Sequence, residues 1–378
     1  TGAATFIAGT TVTLDDALND FGALVNASGS DIALTDATSI MLGDIDATGS
    51  LTVIAVTGSI DDGTAGAAGD DVNVDGEARF TAATTIMLDD ATNVFGGSIS
   101  LSAATAVLDV AAAVDLGTVS VTDLTVAASG TITDSGVIVV TGNTALTAAD
   151  GGTRFDILLD TATNDFSSSG TFTAVAADLS VTDASGIRFG AVTLAADATD
   201  DTITSNGGDL TVIAGGVVAQ AAATVLTVPG LTDISTAGNA ISLTEANAFG
   251  GAVDASGTDI ALTDADGIVL GDVDATGSLT VTALAGSITQ NASGLTVGVG
   301  QASDLAATAE IRLDEGLNDF GGAVDASGTD ITLRDATDIT LGDIDASGSL
   351  TVMAGGSISG NGDGAVAGDD IDVAGVTQ

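Results

Sequence analysis

Apolar residues stand at alternate positions in short triplets along most of the chain, as in Ile32-Ala33-Leu34, Ile40-Met41-Leu42 and Leu51-Thr52-Val53, with Gly, Asp, Ser or Asn between one triplet and the next. A period of two places the flanking residues of each triplet on one face of a strand and the middle residue on the other. The pattern predicts many short strands. Leu, Lys and Glu do not recur at helical spacing, which excludes a coiled coil or a helical solenoid.

The triplets return at regular intervals. Ile241/Leu243, Ile260/Leu262 and Leu279/Val281 follow one another at 19 residues, with Leu295/Val297 and Ile311/Leu313 at 16 each. Ile311/Leu313, Ile331/Leu333 and Leu350/Val352 follow at 20 and 19. A rung of this length holding three short strands predicts a triangular coil whose turns stack by parallel pairing, about 4.8 Å apart. A longer period lies above it. An Asn stands two residues before a Phe five times, at Asn19/Phe21, Asn93/Phe95, Asn164/Phe166, Asn247/Phe249 and Asn318/Phe320, with Phe spacings of 74, 71, 83 and 71. Five super-repeats follow, about 1–75, 76–147, 148–227, 228–300 and 301–378, each expected to hold four rungs. The third copy carries an insertion near Asp197 to Gly207. The expected fold is all-β, a right-handed parallel β-helix (β-solenoid) of about 20 rungs, a rod on the order of 100 Å long. A sandwich would need Asn-Gly hairpin turns, which are nearly absent.

In Asn-x-Phe, Phe is expected to fill a core layer, and the glycines after it (Gly22, Gly96, Gly250 with Gly251, Gly321 with Gly322) to make room at a corner. Asn would adopt a left-handed turn or bond neighbouring backbone.

Composition narrows the chemistry. The 378 residues include 52 acidic and 5 basic ones, for a net charge of −47, yet 45% are hydrophobic. The basic residues are Arg79, Arg154, Arg188, Arg312 and Arg334, and Lys, His, Cys, Trp and Tyr are absent. No thiolate or imidazole metal site, haem ligand, Cys nucleophile or His base can be built. The charge repels phosphate and anionic lipid, so neither nucleic acid nor direct membrane insertion is expected. β-Helical polysaccharide-degrading enzymes pair carboxylic acids and hold acidic sugars with basic side chains. Here the arginines are scattered singly, and Arg154 and Arg188 read as surface partners of Asp156 or Asp183. The chain is expected not to be an enzyme.

Acidic pairs recur at Asp44/Asp46, Asp272/Asp274 and Asp343/Asp345, and Asp254/Asp259 and Asp325/Asp330 flank an Ala-Ser-Gly-Thr turn. Both acids of each Gly-Asp-x-Asp run should point outward. Two readings stay open: these six residues hold Ca²⁺ with backbone carbonyls and water, or they form a solvated surface that blocks sideways stacking.

The runs Thr1 to Gly22, Leu42 to Val53 and Ser287 to Gln290 resemble the β-strand repeats of very large bacterial surface proteins, the filamentous-haemagglutinin-like and autotransporter-like adhesins. The resemblance implies export to the cell surface or extracellular space and service as a structural shaft or filament. The alternative is an adhesin segment that binds a glycan or host protein, with the insertion near Asp197 as the natural place. The run Asp369 to Gln378 parallels the internal run from Asp70 to Val74, and joined to Thr1 it echoes Val299 to Thr308. The expected partner is therefore the chain itself, head to tail, or further copies of the repeat in a longer chain.

Overall fold

The computed structural model describes residues 2–63, 71–195, 207–291, 295–361 and 371–374. It is an all-β parallel β-solenoid of about 17 turns, with no helix among the described residues. The chain divides into two compact units, Thr1–Ala184 and Ser185–Gln378. In each unit the main strands fall into two parallel stacks, and each turn gives one strand to each stack. The expected triangular coil is thus two-sided. The expected insertion at Asp197–Gly207 falls almost wholly outside the described residues.

Like side chains lie over like. In the first unit, Val12, Ile32, Leu51, Ala78 and Ile99 are successive register partners. In the second, Ile268, Ile288, Ile311, Ile331 and Leu350 form such a column. Ile288, Ile311 and Ile331 are fully buried. Each buried Ile or Leu contributes about 1.5–3 kcal/mol, and β-branched side chains suit a pleated surface packed on one side.

The long repeat does not hold a whole number of turns. In the second unit, strands Ile187–Leu194 and Ile339–Ala346 occupy equivalent places two repeats apart. The pairings between them run through Val218–Gln220, Ile241–Phe249, Ile260–Asp264, Leu279–Ala283, Ser303–Ala307 and Ala323–Gly328, seven steps in all. One repeat is therefore three and a half turns, not four. The equivalent strand of the repeat between them, Ile268–Ala275, lies in the opposite stack. The first unit shows the same exchange: Ile40–Ala47 lies in one stack and Val114–Val121 in the other. The count of four took the step from Leu279/Val281 to Leu295/Val297 as a whole turn, but Val297–Val299 pairs with Ile268–Ala275 in the opposite stack, so that step is half a turn.

These long strands carry a bulge in the middle. Register slips between Val253/Ala255 and Leu270/Val273, and between Val324/Ala326 and Leu341/Ile344. The N–H freed at the bulge is taken by a side chain of the preceding turn. Asp272 N–H donates to Asp254 Oδ1 at 2.6 Å, Asp343 N–H to Asp325 Oδ1 at 2.8 Å, and Asp44 N–H to Asn26 Oδ1 at 3.0 Å. That acceptor sits where the Cβ of the preceding residue would be, which requires glycine at Gly43, Gly271 and Gly342. Asp254 and Asp325 accordingly lie within strands Ala252–Gly257 and Ala323–Gly328, not beside a turn.

Gly271→Ala should therefore push the Asp254 carboxylate aside and destabilise the fold by about 1–3 kcal/mol. Asp254→Ala, which loses a hydrogen bond to a charged acceptor, should cost about 1.5–3 kcal/mol. In urea unfolding the double variant should cost little more than the worse single one, because both changes break the same bond. Additive costs would separate the glycine from the aspartate.

Candidate functional site

Polar side chains of this protein work mainly between turns, and they do so at three kinds of place. At exposed corners an Asp holds the serine of the next turn. Ser278 N–H and Oγ–H donate to Asp259 Oδ1 at 2.9 and 2.8 Å, and Ser349 does the same to Asp330 at 2.9 and 2.6 Å. Ser50 and Asp31 repeat the pair at 3.0 and 2.9 Å. These bonds favour the ionised acid. The Ser278 N–H and then its hydroxyl hold Asp259 below the usual carboxylate range, the Ser50 N–H and hydroxyl act likewise on Asp31, and on Asp330 the Ser349 hydroxyl leads.

The second place is buried. After each Asn-x-Phe the chain makes one turn and returns beneath the Phe, and there it carries an Asp in four of the five copies. Asp36, Asp183, Asp264 and Asp335 are at most 2% exposed. Oδ2 of each accepts the N–H of Phe21, Phe166, Phe249 or Phe320 at 2.6–2.8 Å. Oδ1 of Asp36, Asp264 and Asp335 accepts the N–H two residues on, from Thr38, Asp266 and Thr337, at 2.7, 2.8 and 2.6 Å. The second copy has Val110 instead. A buried carboxylate without a cation is costly unless its oxygens are filled, and backbone N–H groups fill them here. Burial still pushes the Asp264 carboxyl above the usual range.

The third place is where a strand breaks for a loop. Four of these breaks, between Ile60–Asp61 and Val72–Val74, Ile132–Asp134 and Ile138–Val140, Val218–Gln220 and Leu226–Val228, and Ile288–Gln290 and Val297–Val299, are followed one turn on by an Asn-x-Phe segment. The Asn of the next Asn-x-Phe bridges each one. Oδ1 of Asn93, Asn164, Asn247 and Asn318 accepts the N–H of Val72, Ile138, Leu226 and Val297 at 2.8–3.0 Å. The Nδ2–H of Asn93 and Asn164 donates to Asp62 and Asp134 at 2.7 Å. In the second unit Gln220 and Gln290 replace these acids and exchange two bonds with Asn247 and Asn318, at 2.7 and 3.1 Å and at 2.7 and 2.8 Å. Burial raises the Asp62 carboxyl, and burial together with the neighbouring Asp89 and Asp90 raises Asp109.

The Asn is thus a backbone clamp and not a left-handed turn, since the one described non-glycine residue with positive φ is Ala223. Phe95, Phe166, Phe249 and Phe320 are core residues, as expected. A Cβ on Gly96, Gly250 or Gly321 would meet a carbonyl oxygen of the preceding turn at 2.7, 2.6 and 2.9 Å, so these glycines do make room at the corner.

Asp44, Asp46, Asp272, Asp274 and Asp345 are exposed and Asp343 is half-exposed, while Ile45, Val273 and Ile344 between them are fully buried. The pairs point outward, as the alternation requires. Asp272 Oδ1 accepts the N–H and hydroxyl of Thr296 at 3.2 and 2.6 Å. Among the described residues no group of three or more acids is placed to hold a metal ion. Arg312 forms ion pairs with Glu310 and Asp314, at 3.6 and 3.4 Å. Asp183 is a buried acceptor of the Phe166 N–H rather than a surface residue. Arg154 lies in an antiparallel hairpin, with Ala149 as its register partner.

Asp335→Ala strips two backbone N–H groups of a charged acceptor and should cost about 3 kcal/mol, read from the urea midpoint. Stability should also depend on pH in two opposed ways. Raised acids (Asp62, Asp109, Asp264) bind their protons more tightly when folded, so their contribution is complete below the unfolded value near 4 and is lost as pH rises through the folded value. Lowered acids (Asp31, Asp259, Asp330) contribute above the unfolded value and lose that contribution as pH falls through the folded one. The melting temperature should rise as pH falls from neutral toward the carboxylate range and turn down once pH drops below the unfolded value near 4. A monotonic profile would count against this assignment.

A family model described as Repeats of unknown function (DUF5649) matches residues 29–102, 103–174, 176–256, 257–327 and 328–376. These five segments start later in the repeat than the boundaries set by the Asn-x-Phe spacing. No curated protein and no solved structure matches the chain. With nearly its whole length matched in five consecutive segments, the chain belongs to the family of repeats of unknown function DUF5649.

Proposed function

We propose that this protein is a structural shaft of the bacterial cell surface or extracellular matrix, and not an enzyme. The observation that carries the reading is the use made of the buried polar side chains. Asp36, Asp183, Asp264 and Asp335 bond the backbone of an adjacent turn, and so do Asn93, Asn164, Asn247 and Asn318. An active site would draw such groups out of the repeat pattern to face a substrate. A surface with few cations and many carboxylates supports an object that stays soluble and resists sideways aggregation. The resemblance to β-strand repeats of large adhesins supports an exported location. An adhesin segment binding a glycan or host protein is the competing use of the same shaft.

Antibody raised against the purified chain should label intact cells of the source organism without permeabilisation. Under force, single chains should lengthen in many small steps, since each turn contacts only its neighbours. Labelling only after cell breakage would sink the surface assignment. Glycan binding by the isolated chain, lost on trimming a loop, would favour the adhesin.

A further inference from the structure

One of the four strand breaks held by an Asn is built on a carboxylate shut off from water. At the break before Val72–Val74, Asn93 Oδ1 accepts the Val72 N–H at 2.8 Å, and Asn93 Nδ2–H donates to Asp62 Oδ2 at 2.7 Å. Asp62 and Asn93 are fully buried. Oδ1 and Oδ2 of Asp62 also accept the N–H groups of Asp89 and Asp90, each at 3.2 Å. The other three joints differ. Asp134, which holds Asn164, is half-buried, and Gln220 and Gln290 stand at the same place before Asn247 and Asn318. A neutral side chain therefore serves this joint twice, and a charge within reach of water once.

Asp62 forms no ion pair among the described residues, and the groups that face it are acids. Asp89 and Asp90 follow strand Thr85–Leu88 of the next turn, and Asp90 is buried as well. Asp109 stands beside Asp89 on the turn after that, in the register set by Leu88 and Leu108. Asp61 and Asp71 lie on the same turn as Asp62, Asp44 and Asp46 on the turn before, and Arg79 belongs to the opposite stack. Burial first, and the neighbouring Asp89 after it, favour the protonated form of Asp62. A buried charge among like charges is costly even where backbone N–H groups fill its oxygens.

We propose that the joint between Asp62 and Asn93 is an acid-tightened latch on the first unit: uptake of a proton at Asp62 holds the strand break before Val72 shut, and its release lets the break open more often. The protonated carboxyl is neutral, like the amide of Gln290, and its carbonyl oxygen still accepts the Asn93 N–H. What disappears is the buried charge and its repulsion from Asp89. The sign follows from linkage. A folded state that binds the proton more tightly has its full gain below the unfolded value near 4 and loses it as pH rises through the folded value. Gln220 and Gln290 do not titrate, so the joints they make in the second unit do not answer to pH. Acidification of the surroundings would stiffen one joint of the shaft and leave its two counterparts as they were.

The test is amide hydrogen exchange at Val72 and Val297 in the purified 378-residue chain. Exchange is followed from neutral pH into the carboxylate range and corrected for the pH dependence of the exchange chemistry itself. Protection at Val72 should rise severalfold as pH falls, while protection at Val297 stays level. Asp62→Gln should bring Val72 to its acid level at neutral pH and remove the response. Gln290→Glu, the reverse change, should give Val297 the response that Val72 loses. Asp109→Asn should leave Val72 responsive, which separates Asp62 from its neighbour. Level protection at Val72 in the unmodified chain overturns the proposal, and so does a response that survives Asp62→Gln. A parallel rise at Val297 in the unmodified chain also overturns it, because the response would then belong to the whole fold. Should Asp62→Gln fail to fold, Gln290→Glu decides alone: a Val297 that stays level in that variant overturns the latch.

Discussion

The parallel backbone bond between one turn and the next is the interaction on which everything else in this protein depends. A strand in such a stack has no hairpin partner nearby; its N–H and C=O groups are satisfied only if the turns above and below hold the same path. Any residue that lets the path deviate must repair the ladder at that point. The bulge at Gly271, the corner at Ser278 and the break after Gln290 are three such deviations, and each is repaired by a side chain one turn away.

This explains a composition that first reads as a surface property. Asp is abundant because its short carboxylate reaches one rung and accepts two donors at once. At exposed corners the bond holds the acid ionised; inside, at Asp264, burial opposes the charge and backbone N–H groups compensate. Exchange of Asp for Gln at the strand breaks is instructive. Asp62 and Asp134 serve the first unit, Gln220 and Gln290 the second, with the same Asn opposite. The joint needs an acceptor of the right reach rather than a charge.

The strand pattern, the stacking and the inward face of each triplet were legible in the sequence, because alternation and like-over-like stacking are local in residue number. The two-sided coil and the half-turn were not. A triplet such as Val297–Val299 looks like a new rung until its pairing shows it to be the second half of an interrupted one. Asp36 and Asp335 were passed over for a similar reason: in sequence they end a strand like many other acids, and only the returning Phe reveals what they hold. The spacing of 15 residues from Phe21 to Asp36, from Phe249 to Asp264 and from Phe320 to Asp335 was the available signal. Gly271 was readable only as a turn former, since the carboxylate that excludes its Cβ comes from a residue 17 positions away.

A repeat of three and a half turns gives copy number a parity. In the second unit the strand Ile268–Ala275 and its equivalents at Ile187–Leu194 and Ile339–Ala346 already face opposite ways. Unequal crossing-over that adds or removes one such repeat would lengthen the protein by a fixed step and also bring everything beyond it round by half a revolution. Gain or loss of two would restore the original aspect. Slippage at the gene can therefore choose which side of the molecule is presented without substituting any residue of the repeats that remain.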